Sequence, residues 1–71
     1  MTPHIATATF TDINNAEDAR SYLLANEFTD EQLKLTGLKL DIYTKTLLEA
    51  QEAVDVLRNY GAFDINMYEA L

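Results

Sequence analysis

The chain opens on an alternation. In residues 4–10, Ala6, Ala8 and Phe10 fall on one side and Ile5, Thr7 and Thr9 on the other, which is the two-residue period of a strand. Ile5, Thr7 and Thr9 are β-branched and favour that conformation, and Pro3 just ahead suits a strand start. Asp12 to Asn15 is a polar break, and Asn14 or Asn15 supplies a helix cap. Ala16, Ala19 and Leu23 then recur at helical spacing, which predicts a helix from about Ala16 to Asn26 with Glu17 and Asp18 in its first turn. Asn26 or Glu27 ends it, and asparagine tolerates the left-handed turn better. Near the other end, Thr46 and Glu49 have the spacing of a capping box, with Thr46 bonding forward and Glu49 reaching back. Ala50, Ala53, Val54 and Leu57 make the apolar stripe of a second helix, with Arg58 in its last turn and Gly61 as its stop. Phe63, Ile65 and Met67 alternate with Asp64, Asn66 and Tyr68 in a closing strand.

The middle of the chain breaks its own rhythm. Leu33 and Leu35 occupy odd positions, whereas Leu38, Leu40 and Ile42 occupy even ones. A single regular strand cannot change parity, because its side chains alternate strictly. A two-residue hairpin turn at Thr36-Gly37 would pair Leu35 with Leu38 and Leu33 with Leu40, all on one face. That register sets Lys34 opposite Lys39. A bulge at Gly37 within one long strand would change parity equally well. The hairpin is the working choice, and it makes the order βαββαβ over a single domain, residues 1–71.

That order predicts an α+β fold, the ferredoxin-like sandwich of two helices on one face of a four-stranded antiparallel sheet. The helices would cover Ala6, Ala8, Phe10, Leu33, Leu35, Leu38, Leu40, Ile42, Phe63, Ile65 and Met67. The uncovered face would carry Ile5, Thr7, Thr9, Lys39, Asp41, Tyr43, Asp64, Asn66 and Tyr68.

Two stretches resemble the small bacterial general stress protein (heat-induced stress protein) domains. One runs from Ala16-Glu-Asp-Ala19 through Leu23 to Phe28, followed by Thr-Asp-Glu and a strand. The other is Leu40-Asp-Ile-Tyr, then Glu49-Ala50 through Leu57-Arg-Asn-Tyr-Gly61-Ala62-Phe-Asp64. Such domains show a strand, an alanine-rich helix, a strand, and a closing helix that ends in Gly-Ala before a final strand. The present chain departs from them at Asn26-Glu27, where a glycine often precedes the Phe, and in having almost nothing between its two middle strands. The resemblance implies the same fold and a stress-associated role, and it brings no catalytic residues with it.

Composition narrows the chemistry. With 71 residues the chain has a thin core, since a domain near this size buries roughly 60% of the surface its unfolded chain exposes. There is no cysteine, so thiolate metal sites, Fe–S clusters and thiol catalysis are excluded. Two glycines in total leave no phosphate-cradling loop or dinucleotide fingerprint. The net charge of −7 disfavours nucleic acid and anionic membranes as partners. The first ten residues lack the basic start and long apolar run of a signal peptide, so the chain reads as soluble and cytoplasmic.

The remaining candidates are few. His4 is the single histidine and lacks a cysteine or second histidine as co-ligand, so it reads as solvated. Glu52 and Asp55 share a helical face, but the acids as a group read as a solubilising surface. No metal or other cofactor is expected, and no catalytic role. Tyr43 and Tyr68 on the open face invite comparison with RNA-recognition sheets. Lys39 is the single base placed there, against Asp41 and Asp64, so RNA is not expected. Ile5, Thr7, Thr9, Tyr43 and Tyr68 read instead as a protein contact, because tyrosine is large, rigid and amphipathic. The expected activity is association, as a homodimer or with a protein partner, through this face or an edge strand. A regulatory domain holding a small molecule at a dimer interface is the first alternative, and a small enzyme at a dimer cleft the second.

Twelve acids against five bases on so small a body repel one another. Sodium chloride between low and moderate concentration should therefore raise the melting temperature modestly by screening. A melting temperature that falls over that range would contradict a repulsive surface.

Overall fold

A computed structural model describes residues 3–70, and Met1, Thr2 and Leu71 of the expected domain lie outside them. The elements in order are β1 (His4–Thr9), α1 (Ile13–Ala25), a single 3₁₀ turn (Asp30–Gln32), β2 (Leu33–Thr36), β3 (Lys39–Thr44), α2 (Leu47–Asn59) and β4 (Phe63–Glu69). The four strands form one sheet in the order β2-β3-β1-β4, and each neighbouring pair is antiparallel. This is the α+β, ferredoxin-like arrangement that the hydrophobic pattern predicts. No helix among the described residues is long and apolar enough to cross a membrane.

The two helices carry the same motif at the same spacing. Ala16, Ala19 and Leu23 of α1, and Ala50, Ala53 and Leu57 of α2, are all fully buried. Beneath α2 lie Ala6 and Ala8 of the inner strand β1, and α1 packs over β2 and β3, where Leu33, Leu40 and Ile42 are buried. Alanine against alanine lets helix and sheet backbones come close, and Phe10, Leu23 and Leu57 fill the space around that seam. Truncating either leucine to alanine would cost about 2–5 kcal/mol, the usual range for a buried aliphatic side chain.

The helix ends differ from the sequence reading at α1. Its cap is Asp12, not Asn14 or Asn15, and the helix starts at Ile13. The Asp12 carboxylate accepts from the Asn14 N–H at 2.8 Å, so Glu17 and Asp18 lie beyond the first turn. The other end closes as α2 does. Phe28 N–H donates to the Leu23 carbonyl, and Ala62 N–H donates to that of Leu57, the six-to-one bond of a Schellman motif. The left-handed position is Gly61 (φ 79°) in α2 and, of the two residues Asn26 and Glu27 that could end α1, it is Glu27 (φ 76°), although asparagine tolerates the conformation better. The chain needs the left-handed residue immediately before Phe28 so that this ring, at the position after it, can pack against the core.

The start of α2 also departs from the reciprocal box. Thr46 Oγ1 accepts from the Glu49 N–H at 3.1 Å, as expected. The Glu49 carboxylate accepts instead from Gln32 Nε2 at 3.0 Å. Gln32 also donates to the Tyr43 carbonyl at 3.0 Å and accepts from the Thr29 N–H at 3.1 Å. One side chain thus ties the 3₁₀ turn to the end of β3 and the first turn of α2. An Arg20–Asp30 ion pair links the same turn to α1.

The hairpin is present with its register moved by one residue. Its two central residues are Gly37 and Leu38, so Leu35 pairs with Leu40 and Leu33 with Ile42. Gly37 takes φ 61° at the first central position, the II′ pattern that follows the strand twist. Lys34 consequently faces Asp41 rather than Lys39, exchanging a repulsive cross-strand pair for an attractive one. Leu38 leaves the core for the exposed turn, where its carbonyl accepts from the Phe10 N–H at 2.8 Å.

Glu27 tests the account of the α1 terminus. A non-glycine residue in the left-handed region costs about 1–2 kcal/mol, and glycine returns about half of that gain as chain entropy. Glu27→Gly should therefore raise the unfolding free energy by about 0.5–1 kcal/mol in urea titrations. A destabilised variant would mean that the α1 terminus does not close this way.

Candidate functional site

The uncovered face of the sheet is arranged in cross-strand rows. Ile5 of β1 pairs with Tyr43 of β3 on one side and Tyr68 of β4 on the other. The next row reads Lys34, Asp41, Thr7 and Asn66 from β2 to β4. The third reads Thr36, Lys39, Thr9 and Phe63. Paired residues project from the same side of a sheet, so the five residues singled out in the sequence, Ile5, Thr7, Thr9, Tyr43 and Tyr68, share one surface. The sequence order spreads them over three strands, and the register brings the isoleucine between the two tyrosines.

The last row contains a residue the alternation placed elsewhere. Between Thr7 and Thr9, β1 advances two residues while β4 goes from Asn66 to Phe63, so β4 holds one extra residue. The irregularity includes Asp64, which takes φ 51°, a conformation aspartate tolerates better than most side chains. The bulge turns Phe63 out of the expected core and onto the open face, 45% exposed. It removes Asp64 from the regular alternation that would have kept it on that face. Asn66 Nδ2 donates to the Asp64 carbonyl at 3.1 Å across the irregularity. The signal in the sequence was slight: an aspartate one residue into a strand is disfavoured, and a bulge is one way to accommodate it.

Exposure grades across this face. Tyr43 and Tyr68 are 44% and 52% exposed, whereas Thr7 at the centre is only 7% exposed under its neighbours. The rim is therefore aromatic and the middle is small and polar. Met67, on the helix side of edge strand β4, was expected in the core but remains 39% exposed. Ile65, on the same strand, packs against the core while only partly buried.

Charge on the face also changes with the bulge. Lys34 and Lys39 stand on the face in either hairpin register, Asp41 remains and Asp64 leaves, so the formal balance of the three strand rows is +1. One of twelve acids and two of five bases stand in the rows. Asp41 lies between Lys34 and Thr7, and its Oδ1 is buried and accepts no hydrogen bond from the described residues. His4 sits half-buried at the start of β1, and its carbonyl accepts from Thr44 Oγ1 at 2.9 Å. Among the described residues, no group of three or more His, Cys, Asp or Glu side chains is placed to hold a metal ion.

The chain matches no family model, no curated protein and no solved structure.

Asp41 offers a direct check on the central row. Aspartate is a poor strand residue, and a buried acceptor without a donor costs about 1–3 kcal/mol. Asp41→Thr should therefore raise stability by about 1 kcal/mol in denaturant titrations of the isolated chain. A comparable loss would show instead that attraction between Asp41 and Lys34 holds β2 to β3.

Proposed function

We propose that this protein is a non-catalytic interaction domain that pairs with a second copy of itself through the open face of its sheet. The observation that carries the reading is the row Tyr43–Ile5–Tyr68, with Phe63 two rows away on the same surface. Three half-exposed aromatic rings on one face of a small domain supply large, rigid contact area that loses little conformational freedom on binding.

The placement of charge favours a second copy as the occupant. Two chains of net charge −7 repel at a distance, but most of the acids stand off the face that would meet. A two-fold axis near Thr7 would set Lys34 and Lys39 of one chain against Asp41 of the other, where opposite charges fix the orientation. Association also adds buried apolar surface to a thin core. The stress-associated role implied by the general stress resemblance belongs to this reading, as a small partner-binding or self-associating protein that does no chemistry.

The β4 edge supports a second route to association. Its outer backbone groups are unpaired by any other strand, and Met67 lies exposed beside it. Pairing there would leave the tyrosine face open.

Light scattering after size exclusion, over a wide concentration range, separates these outcomes. The mass should be that of two chains. Tyr43→Ser or Tyr68→Ser should each weaken association by about 30-fold, the equivalent of about 2 kcal/mol for a truncated tyrosine anchor. A single-chain mass at every concentration overturns the proposal. A dimer that survives both substitutions overturns the face and leaves the β4 edge.

A further inference from the structure

The helix layer, on the opposite side of the sheet from the tyrosine face, carries its own open groove. It lies between the last turns of α1 and the outer face of α2 and encloses ≈ 850 Å³, within the range of about 300–1,000 Å³ typical of small-molecule sites. Its floor is aromatic and aliphatic. Tyr22 and Tyr60 bring their ring centroids to 5.9 Å at an interplanar angle of 49°, and Val56 lies beside them. Glu52, Asp55 and Val56 of α2 and Tyr60 at its C-cap follow at intervals of three, one and four and so share one helical face.

The polar residues of this groove carry one sign. Glu27, Glu52 and Asp55 line it, and no lysine or arginine does. The basic residues on the two helices are turned to other tasks. Arg20 is ion-paired with Asp30, and Arg58 reaches Asp55 from outside the groove at a loose 3.5 Å, with both side chains exposed. Such an exposed pair is weak and exchanges readily. Tyrosine faces attract cations through the ring quadrupole, so rings and carboxylates favour the same kind of guest. The alternation of apolar floor and separated anions suits a flexible chain that carries separated positive charges.

We propose that the groove between α1 and α2 binds a linear polyamine, its ammonium groups at Glu27, Glu52 and Asp55 and its methylene chain across Tyr22, Tyr60 and Val56. This site is independent of the dimer face, because the sheet separates the two. Binding at the groove would make the domain a sensor of a small organic cation as well as an association module.

Spermidine is the probe, titrated calorimetrically at fixed ionic strength into the whole chain. Binding should saturate at one molecule per chain. Glu52→Gln combined with Asp55→Asn, both exposed positions, should weaken it by about tenfold, within the roughly 2- to 30-fold that two exposed charge pairs supply. Glu17→Gln combined with Glu31→Gln removes the same charge from residues that do not line the groove and should leave affinity within about twofold of the parent. Magnesium at equal charge should not displace the polyamine, because it has no chain to lie on the rings. The proposal is overturned by heats that do not saturate, by an equal loss in both double variants, or by full displacement with magnesium. The last two results would mean diffuse attraction to an acidic surface. Light scattering on the groove variant reads the dimer face separately, so either reading can fail alone.

Discussion

The fold depends on one strand having small side chains on one face and branched ones on the other. β1 is bonded on both edges, to β3 and to β4, and is one of the two inner strands of the sheet. Its Ala6 and Ala8 give the alanine face of α2 a flat seat, while α1 packs over β2 and β3, and all six alanines of strand and helices are essentially without exposure. A larger residue at either strand position would lift α2 and open voids around Leu57, in a core too small to absorb the loss. The same strand turns Ile5, Thr7 and Thr9 outward, and these set the rows on which the tyrosines stand. The core and the candidate contact surface are two faces of one six-residue element.

Much of this was legible in the order of residues. Helix spacing, strand alternation and the Gly61 stop specify βαββαβ, because each signal is local and repeated. The tyrosine row was legible because alternation on β1, β3 and the end of β4 is regular. What escaped were shifts of one residue, each arising where a local conformation is set by a tertiary partner. The hairpin slid by one because Gly37 fits the first central position of a II′ turn, a choice that also sets Lys34 opposite Asp41. Phe63 changed face because the β4 bulge takes up one residue near Asp64. Glu27 took the left-handed place because Phe28 must return to the core. Parity makes such slips consequential: one residue moves a side chain from the interior to water.

The corrected register alters the physical picture of the open face more than its membership. With Asp64 displaced by the β4 bulge, Lys34 and Lys39 outnumber Asp41 on the face, which sets it apart from the acidic surface that surrounds it. The acids concentrate on the helices, the connecting loops and the strand ends, which remain outward when two sheets meet. In the proposed dimer a net charge of −7 would oppose every approach except one that keeps the acids of the two chains apart. The helix layer, left free by such pairing, keeps its acidic aromatic groove in contact with solvent.

The account stands or falls on whether the outward residues of β1 meet another chain. A sample mixing isotope-labelled and unlabelled protein would show this by intermolecular nuclear Overhauser contacts. The account predicts contacts from the Ile5 methyl groups of one chain to the Tyr43 or Tyr68 rings of another. Intermolecular contacts confined to the Met67 side of β4, or none at concentrations where the particle has the mass of two chains, would contradict it.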